Sequence, residues 1–295
     1  MSALRAAAPP PDLLRRRRIT SRVMLGLTGL AACLAVIPLL WIVAYVVVQG
    51  ASQMSPEFLL SLPTPVGVPG GGIVNAVAGS ALVVGVATLI ATPVGLLAGL
   101  YAAVATRSRV GLIIRFATDT LAGVPSIVVG IVAYTLIVRP QGHFSAFSGS
   151  FALAIIMLPT IIRSTEEMIQ LVPRPLREAS LALGAPEWRT SAGVLLPAAF
   201  SGILTGLMLA VARAAGEAAP MLFTAFGNPF FSTNLDEPIA TLPHTIYVYA
   251  ISPYEDWRAK AWATALVLVM LVLALNVAAR SFAGWRSRRL ATGAR

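Results

Sequence analysis

The chain has 295 residues, of which 57% are hydrophobic and only 12% charged, and its mean hydropathy is +0.80. That balance excludes a soluble globular protein and marks a membrane protein. The net charge of +10 follows from arginines crowded at the ends of apolar segments, so it needs no nucleic-acid partner.

The tail 1–22, rich in Ala, Pro and Arg, is expected to be a disordered basic segment on the cytoplasmic side. The first apolar stretch, 23–48, is longer than the 7 to 15 residues of a signal-peptide core and runs on past Cys33. Arg15 to Arg18 therefore do not mark a cleaved export signal, nor Leu30-Ala31-Ala32-Cys33 a lipoprotein box. As the only cysteine, Cys33 excludes an intrachain disulfide. The outer loop up to residue 72, with Pro56, Pro63, Pro65, Pro69 and Gly70-Gly71-Gly72, is turn-rich and separates a first helix (23–72 with its loop) from a core at 73–282. Five further segments reach the roughly 20 apolar residues that a hydrocarbon core requires: 73–105, 111–138, 144–172, 195–219 and 258–282. Pro125 and Pro159 are expected to be simple kinks. A basic tail, 283–295, closes the chain.

Between the fourth and fifth spans lies a charged amphipathic insert, REASLALGAPEWRTSAGVLLP, within the loop 173–197. Pro173 and Pro175 break the preceding helix and set up a new one, Glu178 is expected in its first turn, and Gly184 with Pro186 supplies a stop. Leu176, Ala179 and Leu183 share one face, an apolar stripe fit for a partner's groove. Two short helices with a sharp corner are expected, Leu195 beginning the next span. The outer segment 226–257 carries four prolines and several aromatics; its apolar part, 239–251, is too short to span and reads as a re-entrant or interfacial piece where a delivering protein would land. His143 and His244 fall in expected outer loops and read as solvated side chains.

Seventeen of the 22 cationic residues lie in the tails, in the 107–115 connector and in the insert. Both termini and the insert are therefore expected to be cytoplasmic. The single lysine, Lys260, follows Ala259, so the chain has no phosphate loop for ATP, and any ATP is hydrolysed by another chain. No H-E-x-x-H or G-x-S-x-G motif occurs.

Charges inside the spans carry the most information, because each costs about 3 kcal/mol at depth and so pairs or lines a cavity. Arg163 is followed by Glu166 and Glu167, and Arg213 by Glu217. At 1.5 Å per residue Arg163 lies about 14 Å above Pro173, and Arg213 roughly two-thirds of the way across from Leu195. Two readings are open: neutralisation of helical neighbours for packing alone, or a transient anion site built on planar guanidinium forks. A nearby carboxylate would accept a hydrogen bond from a protonated oxyanion such as phosphate and repel sulfate. Asp119, in the third span, either caps or pairs structurally or faces the same path.

Glu178, Ala179, Gly184, Leu196 and Pro197, with Ser180 in place of a second Ala, resemble the cytoplasmic coupling loop of bacterial ABC importer permeases. The run ARAAGEAAPMLFTAF, with Arg213, Gly216, Glu217, Ala219 and Pro220, is similar to the fifth helix of PstA-type phosphate permeases. LPTIIRSTEEMIQLVPRPLREASLALG and TDTLAGVPSIVVG, the latter with Asp119, Pro125 and Ser126, resemble other parts of that family. The resemblance covers about residues 73–276. It implies an all-α membrane protein with six transmembrane helices in the type I ABC importer permease fold, multi-pass in the bacterial cytoplasmic membrane. It also implies a homologous PstC-like permease partner, a homodimeric ATPase holding ATP and magnesium, and an extracytoplasmic phosphate-binding protein, with no cofactor in this chain. Arg163, Arg213, Glu217, Glu166, Glu167, Asp119 and Ser126 are the expected substrate-pathway residues; Leu176, Glu178, Ala179, Ser180, Leu183 and Gly184 are the expected ATPase-coupling residues. A permease for molybdate or sulfate, and a membrane receptor or scaffold without transport, are the alternatives.

Overall fold

Long apolar runs in a bilayer satisfy their backbone polar groups within a helix, and this chain is helical almost throughout. The computed structural model describes residues 11–292. In chain order the helices are α1 (Pro11–Ala51), α2 (Pro56–Leu60), α3 (Val74–Val104), α4 (Arg109–Gly123), α5 (Ser126–Ala133) and α6 (Arg139–Gln141), followed by α7 (Ala146–Gln170), α8 (Arg174–Ala182), α9 (Glu187–Thr190), α10 (Leu196–Ala215), α11 (Leu242–Ala250) and α12 (Glu255–Thr292). Serine oxygens cap α2, α4 and α7: Ser55 accepts from the Phe58 N–H, Ser108 from Gly111 and Ser145 from Ser148.

Five helical segments are long and apolar enough to cross a membrane: Arg15–Ala51, Val74–Val104, Ala146–Gln170, Glu187–Ala215 and Glu255–Ser281. The third span in chain order, expected as one kinked helix over 111–138, is instead a broken pair, Arg109–Gly123 and Ser126–Gln141, bent by 105°. Proline chemistry explains the break. Pro125 has no N–H to continue the ladder and drives Val124 into extended backbone (φ −73°, ψ 129°), and Pro125 itself is extended at φ −58°, ψ 136°. Two consecutive non-helical residues re-aim the chain where one kinked residue would only bend it.

Three other expectations are corrected. The segment expected to be disordered up to residue 22 is helical from Pro11, which opens α1 at a position where a missing N–H costs nothing; residues 1–10 lie outside the described part. Helix α12, of the last span, continues to Thr292, well into the expected basic tail, whose last three residues also lie outside the described part. The fifth span begins at Glu187, so Leu196–Pro197 sits inside a helix. A π-helical turn at Ser191–Leu195 lets this happen: the Leu196 N–H reaches back five residues to the Ser191 carbonyl just before Pro197. The same device, a π turn at Tyr134–Val138 with Arg139 donating to Tyr134, precedes Pro140.

Helix α7 is the hub of residues 50–295, packed against α3 on one flank and α10 on another. Glycines permit both approaches. A Cβ at Gly99 would stand 2.6 Å from the Ile162 carbonyl oxygen and one at Gly95 2.6 Å from Ile161, while Gly202 and Gly206 lie against Met168 and Ser164. The core between these helices contains Val83, Ala87, Leu153, Met157, Ile161 and Ala210.

Helix α11 packs on α12 and α3. The connecting segment before it is tied down by the Glu237 carboxylate, which accepts from the Ser232 hydroxyl (2.7 Å) and the Asn234 amide (3.1 Å). Those bonds hold Glu237 below the usual carboxylate range. His143 is solvent-exposed, 3.8 Å from Asp236. His244 is not a loop residue: it lies in the first turn of α11, half-buried, and burial pushes its imidazole below the ordinary histidine value.

Candidate functional site

The break between α4 and α5 opens a cavity of about 270 Å³ against α7 and α10. Its polar lining is Thr118, Asp119, Ser126, Thr160, Arg163, Ser164 and Arg213; Leu121, Val124, Val129, Ile155, Ile156 and Pro159 supply apolar walls. Helical spacing explains the α7 contribution, because Ile156, Pro159, Thr160 and Arg163 recur at three- and four-residue intervals on one face. The α5 N-terminus at Ser126 reaches the cavity directly because the chain has just restarted there, and its first N–H groups carry the positive end of the helix dipole.

Of the expected pathway residues, Arg163, Arg213, Asp119 and Ser126 thus meet in one cavity. Arg163 Nε donates to Glu167 Oε1 at 2.9 Å, and its Nη1 lies 3.9 Å from Asp119 Oδ1. Arg213 Nε lies 3.8 Å from Glu217 Oε1. Each arginine therefore approaches its helical neighbour through Nε. Glu167 and Glu217 do not line the cavity; Glu217 faces a separate small void beside Ser80 and Thr241.

Glu166 is not brought to the cavity. It is 5% exposed and accepts from Arg115 Nε at 2.6 Å and from the Gln170 amide at 3.1 Å. Arg115 also donates to the carbonyls of Ala102 and Thr106, at the C-terminal end of α3, where orphan carbonyls and the helix dipole both favour a cation. This knot ties α3, α4 and α7 together. Adjacent positions on a helix point about 100° apart, so Glu166 and Glu167 have different fates. Sequence reasoning missed Thr118, Thr160 and Ser164; Thr160 shares the helical face of Arg163, whereas Thr118 and Ser164 are only chain neighbours of Asp119 and Arg163.

The insert folds as a single short helix, α8, and an elbow leading into α9. Gly184 is left-handed at φ +80°, and the N–H groups of Gly184 and Ala185 donate to the Leu181 and Ser180 carbonyls, the paired bonds of a Schellman cap. Glu178 is not in the first turn, since α8 starts at Arg174, and it is solvent-exposed one turn further on. The elbow is braced by Ser180 and Thr190 (2.9 Å between hydroxyls) and by Arg177 against Glu187 (3.3 Å). Leu176, Ala179 and Leu183 are all exposed, Leu183 to 89%. Trp188, which sequence reasoning passed over, is exposed to 68% beside them in sequence. The elbow thus presents a group of apolar side chains to solvent.

Comparison with known proteins agrees with this architecture. The profile of the family described as binding-protein-dependent transport system inner membrane component matches residues 95–292. The phosphate transport system permease protein PstA of Yersinia pestis is 44% identical over 265 residues, covering 90% of both chains. That of Haemophilus influenzae is 45% identical over 90% of this chain and 94% of its own, and PstA 1 of Mycobacterium tuberculosis strain H37Rv is 36% identical over 93% and 92%. Among solved structures, an inward-facing form of the MetNI methionine ABC transporter superposes with a TM-score of 0.63 at 18% identity, covering 78% of this chain and 98% of that one; this is a likeness of fold, that of type I ABC importer permeases. With the profile spanning residues 95–292 and such identities running along about 90% of its length, the chain belongs to the family of binding-protein-dependent transport system inner membrane components and, within it, to the PstA-type permeases.

Proposed function

We infer that the chain is the membrane-spanning permease subunit of an ATP-binding-cassette importer that carries inorganic phosphate into the cytoplasm by alternating access. The observation that carries this reading is the meeting of Arg163 and Arg213 on one cavity at a broken helix. Two permanent cations in a bilayer span are costly unless an anion or a carboxylate answers them. Here the carboxylates answer them only partly: two of the three contacts are 3.8 and 3.9 Å long. A tetrahedral oxyanion with several acceptor oxygens suits the guanidinium edges and the first N–H groups of α5. Long, partial pairing also suits a transient site, which must release as readily as it binds. The names of the relatives, phosphate transport permeases, make phosphate the anion.

The rest of the apparatus is placed by the same logic. The exposed leucines of α8 and the elbow dock on a homodimeric ATPase that holds ATP and magnesium, since this chain has no phosphate loop. ATP-driven closure pushes the elbow, and the α3–α7–α10 block transmits the push to the cavity. A PstC-like permease completes the pathway. A phosphate-binding protein delivers the anion at the outer segment, where Phe230 is exposed to 74%. Both termini and the elbow are cytoplasmic, on the side where the arginines gather. In cells lacking their own phosphate permease, this chain with its partner subunits restores uptake of radiolabelled phosphate that requires the ATPase and resists excess sulfate or molybdate. Uptake of those anions instead moves the assignment to another oxyanion; no uptake and no need of an ATPase leaves a receptor or scaffold.

A further inference from the structure

We propose that Asp119 makes the cavity selective for a protonated oxyanion, by accepting the hydrogen bond that such an anion can donate and repelling an anion that has no proton to give. This rests on the phosphate reading above and adds to it the residue that discriminates. Asp119 is the one carboxylate among the described residues that line the cavity. Its side chain is 69% exposed, and its ionic partner there, Arg163 Nη1, lies 3.9 Å away, beyond hydrogen-bond reach. The oxygens of Asp119 are therefore still available to accept.

The groups around it do not share that role. Glu167 is hydrogen-bonded to Arg163, and Glu217 faces a different void. The Thr118 hydroxyl donates to the Ile114 carbonyl of its own helix at 2.7 Å. An anion held by Arg163 and Arg213 thus meets two cations and one carboxylate in the same cavity. Hydrogen phosphate keeps a P–OH near neutral pH and turns that oxygen towards Asp119, so a repulsive pair of lone pairs becomes a charge-assisted hydrogen bond. Sulfate and molybdate are unprotonated there and meet Asp119 with bare oxygens. A site that binds through a substrate hydroxyl rejects the analogue lacking it, because its own polar group is left facing like charge. The same carboxylate, with two arginines, leaves the lining with a net charge of only +1, which favours release.

The test uses the complete importer, both permeases with the ATPases, in lipid nanodiscs without nucleotide. Phenylglyoxal modification of Arg163 and Arg213 is followed by peptide mass spectrometry, with phosphate or sulfate at equal millimolar concentrations as protectant. In the wild type phosphate slows modification and sulfate does not. In Asp119→Asn, which keeps shape but removes the charge, sulfate protects to within about twofold of phosphate, and in Asp119→Glu the preference for phosphate returns. If Asp119→Asn keeps the wild-type preference, or if both anions protect the wild type alike, Asp119 is only a partner of Arg163 and the proposal falls while the oxyanion permease stands. If neither anion protects the wild type, the cavity is not an anion site and the phosphate reading falls with it.

Discussion

Removing Arg115 should destabilise the permease far more than removing either carboxylate of the exposed pairs. In the native chain the Glu166 side chain is 6% exposed and its 2.6 Å partner, Arg115, 21%. Arg115→Ala leaves a buried carboxylate with only the Gln170 amide, a change that costs about 3–5 kcal/mol when one member of a buried pair is deleted. It also frees the Ala102 and Thr106 carbonyls, each worth about 1 kcal/mol of lost hydrogen bond. Glu167→Ala breaks a pair whose members are both 53% exposed, worth about 0–1 kcal/mol. Replacing Arg115 and Glu166 together by methionine should recover most of the loss, because no charge is then left buried. Denaturant unfolding of the purified importer, with membrane abundance as a second readout, measures the difference. An Arg115→Ala variant no less stable than Glu167→Ala would refute the structural role. So would a Glu166→Gln variant of normal abundance and stability that fails to transport, for it would return Glu166 to the pathway.

Gly184→Val forces a β-branched residue to φ +80°, a strain of about 1–2 kcal/mol at a single residue. The elbow should deform without unfolding the spans, so that ATP is hydrolysed without phosphate uptake; tight coupling in this variant would mean that the elbow is only a connector. His244, whose imidazole value is lowered by burial, contributes stability that is fully present above its unfolded value of about 6.5 and is lost as the pH falls towards the folded value. The opening free energy over α11, taken from hydrogen exchange corrected for the pH dependence of the intrinsic exchange rate, should fall as the pH drops below about 6.5, and His244→Phe should flatten that dependence; an unchanged slope in the variant assigns it to another group.

The features legible in the sequence were those with one physical solution. A left-handed residue after α8 demands glycine, which made Gly184 readable, and lone arginines in apolar spans are conspicuous by cost, which made Arg163 and Arg213 readable. Other features turned on competition between solutions. Pro125 in an apolar run is compatible with a kink or a full break, and the extended backbone of Val124 decided for the break. Glu166 and Glu167 both lie within helical reach of Arg163; what separated them was Arg115, 51 residues away in sequence and visible only once α4 folds back on α7. Leu196–Pro197 resembled a helix start because the π turn that carries the helix past the proline has no residue signature of its own. Thr118, Thr160 and Ser164 passed as polar filler, since a hydroxyl on a membrane helix ordinarily bonds to its own backbone.

The central claim, that Arg163 and Arg213 form the anion site of a phosphate importer, is tested most directly by initial rates of radiolabelled phosphate uptake in Arg213→Gln and Arg163→Gln, each at wild-type abundance and with ATPase docking verified. Glutamine removes the permanent charge and the donor fork, so both variants should lose nearly all uptake, while Arg213→Lys, a point charge without the fork, should retain part of it. Wild-type rates in both glutamine variants would contradict the account and leave the two arginines as packing charges in the cavity wall.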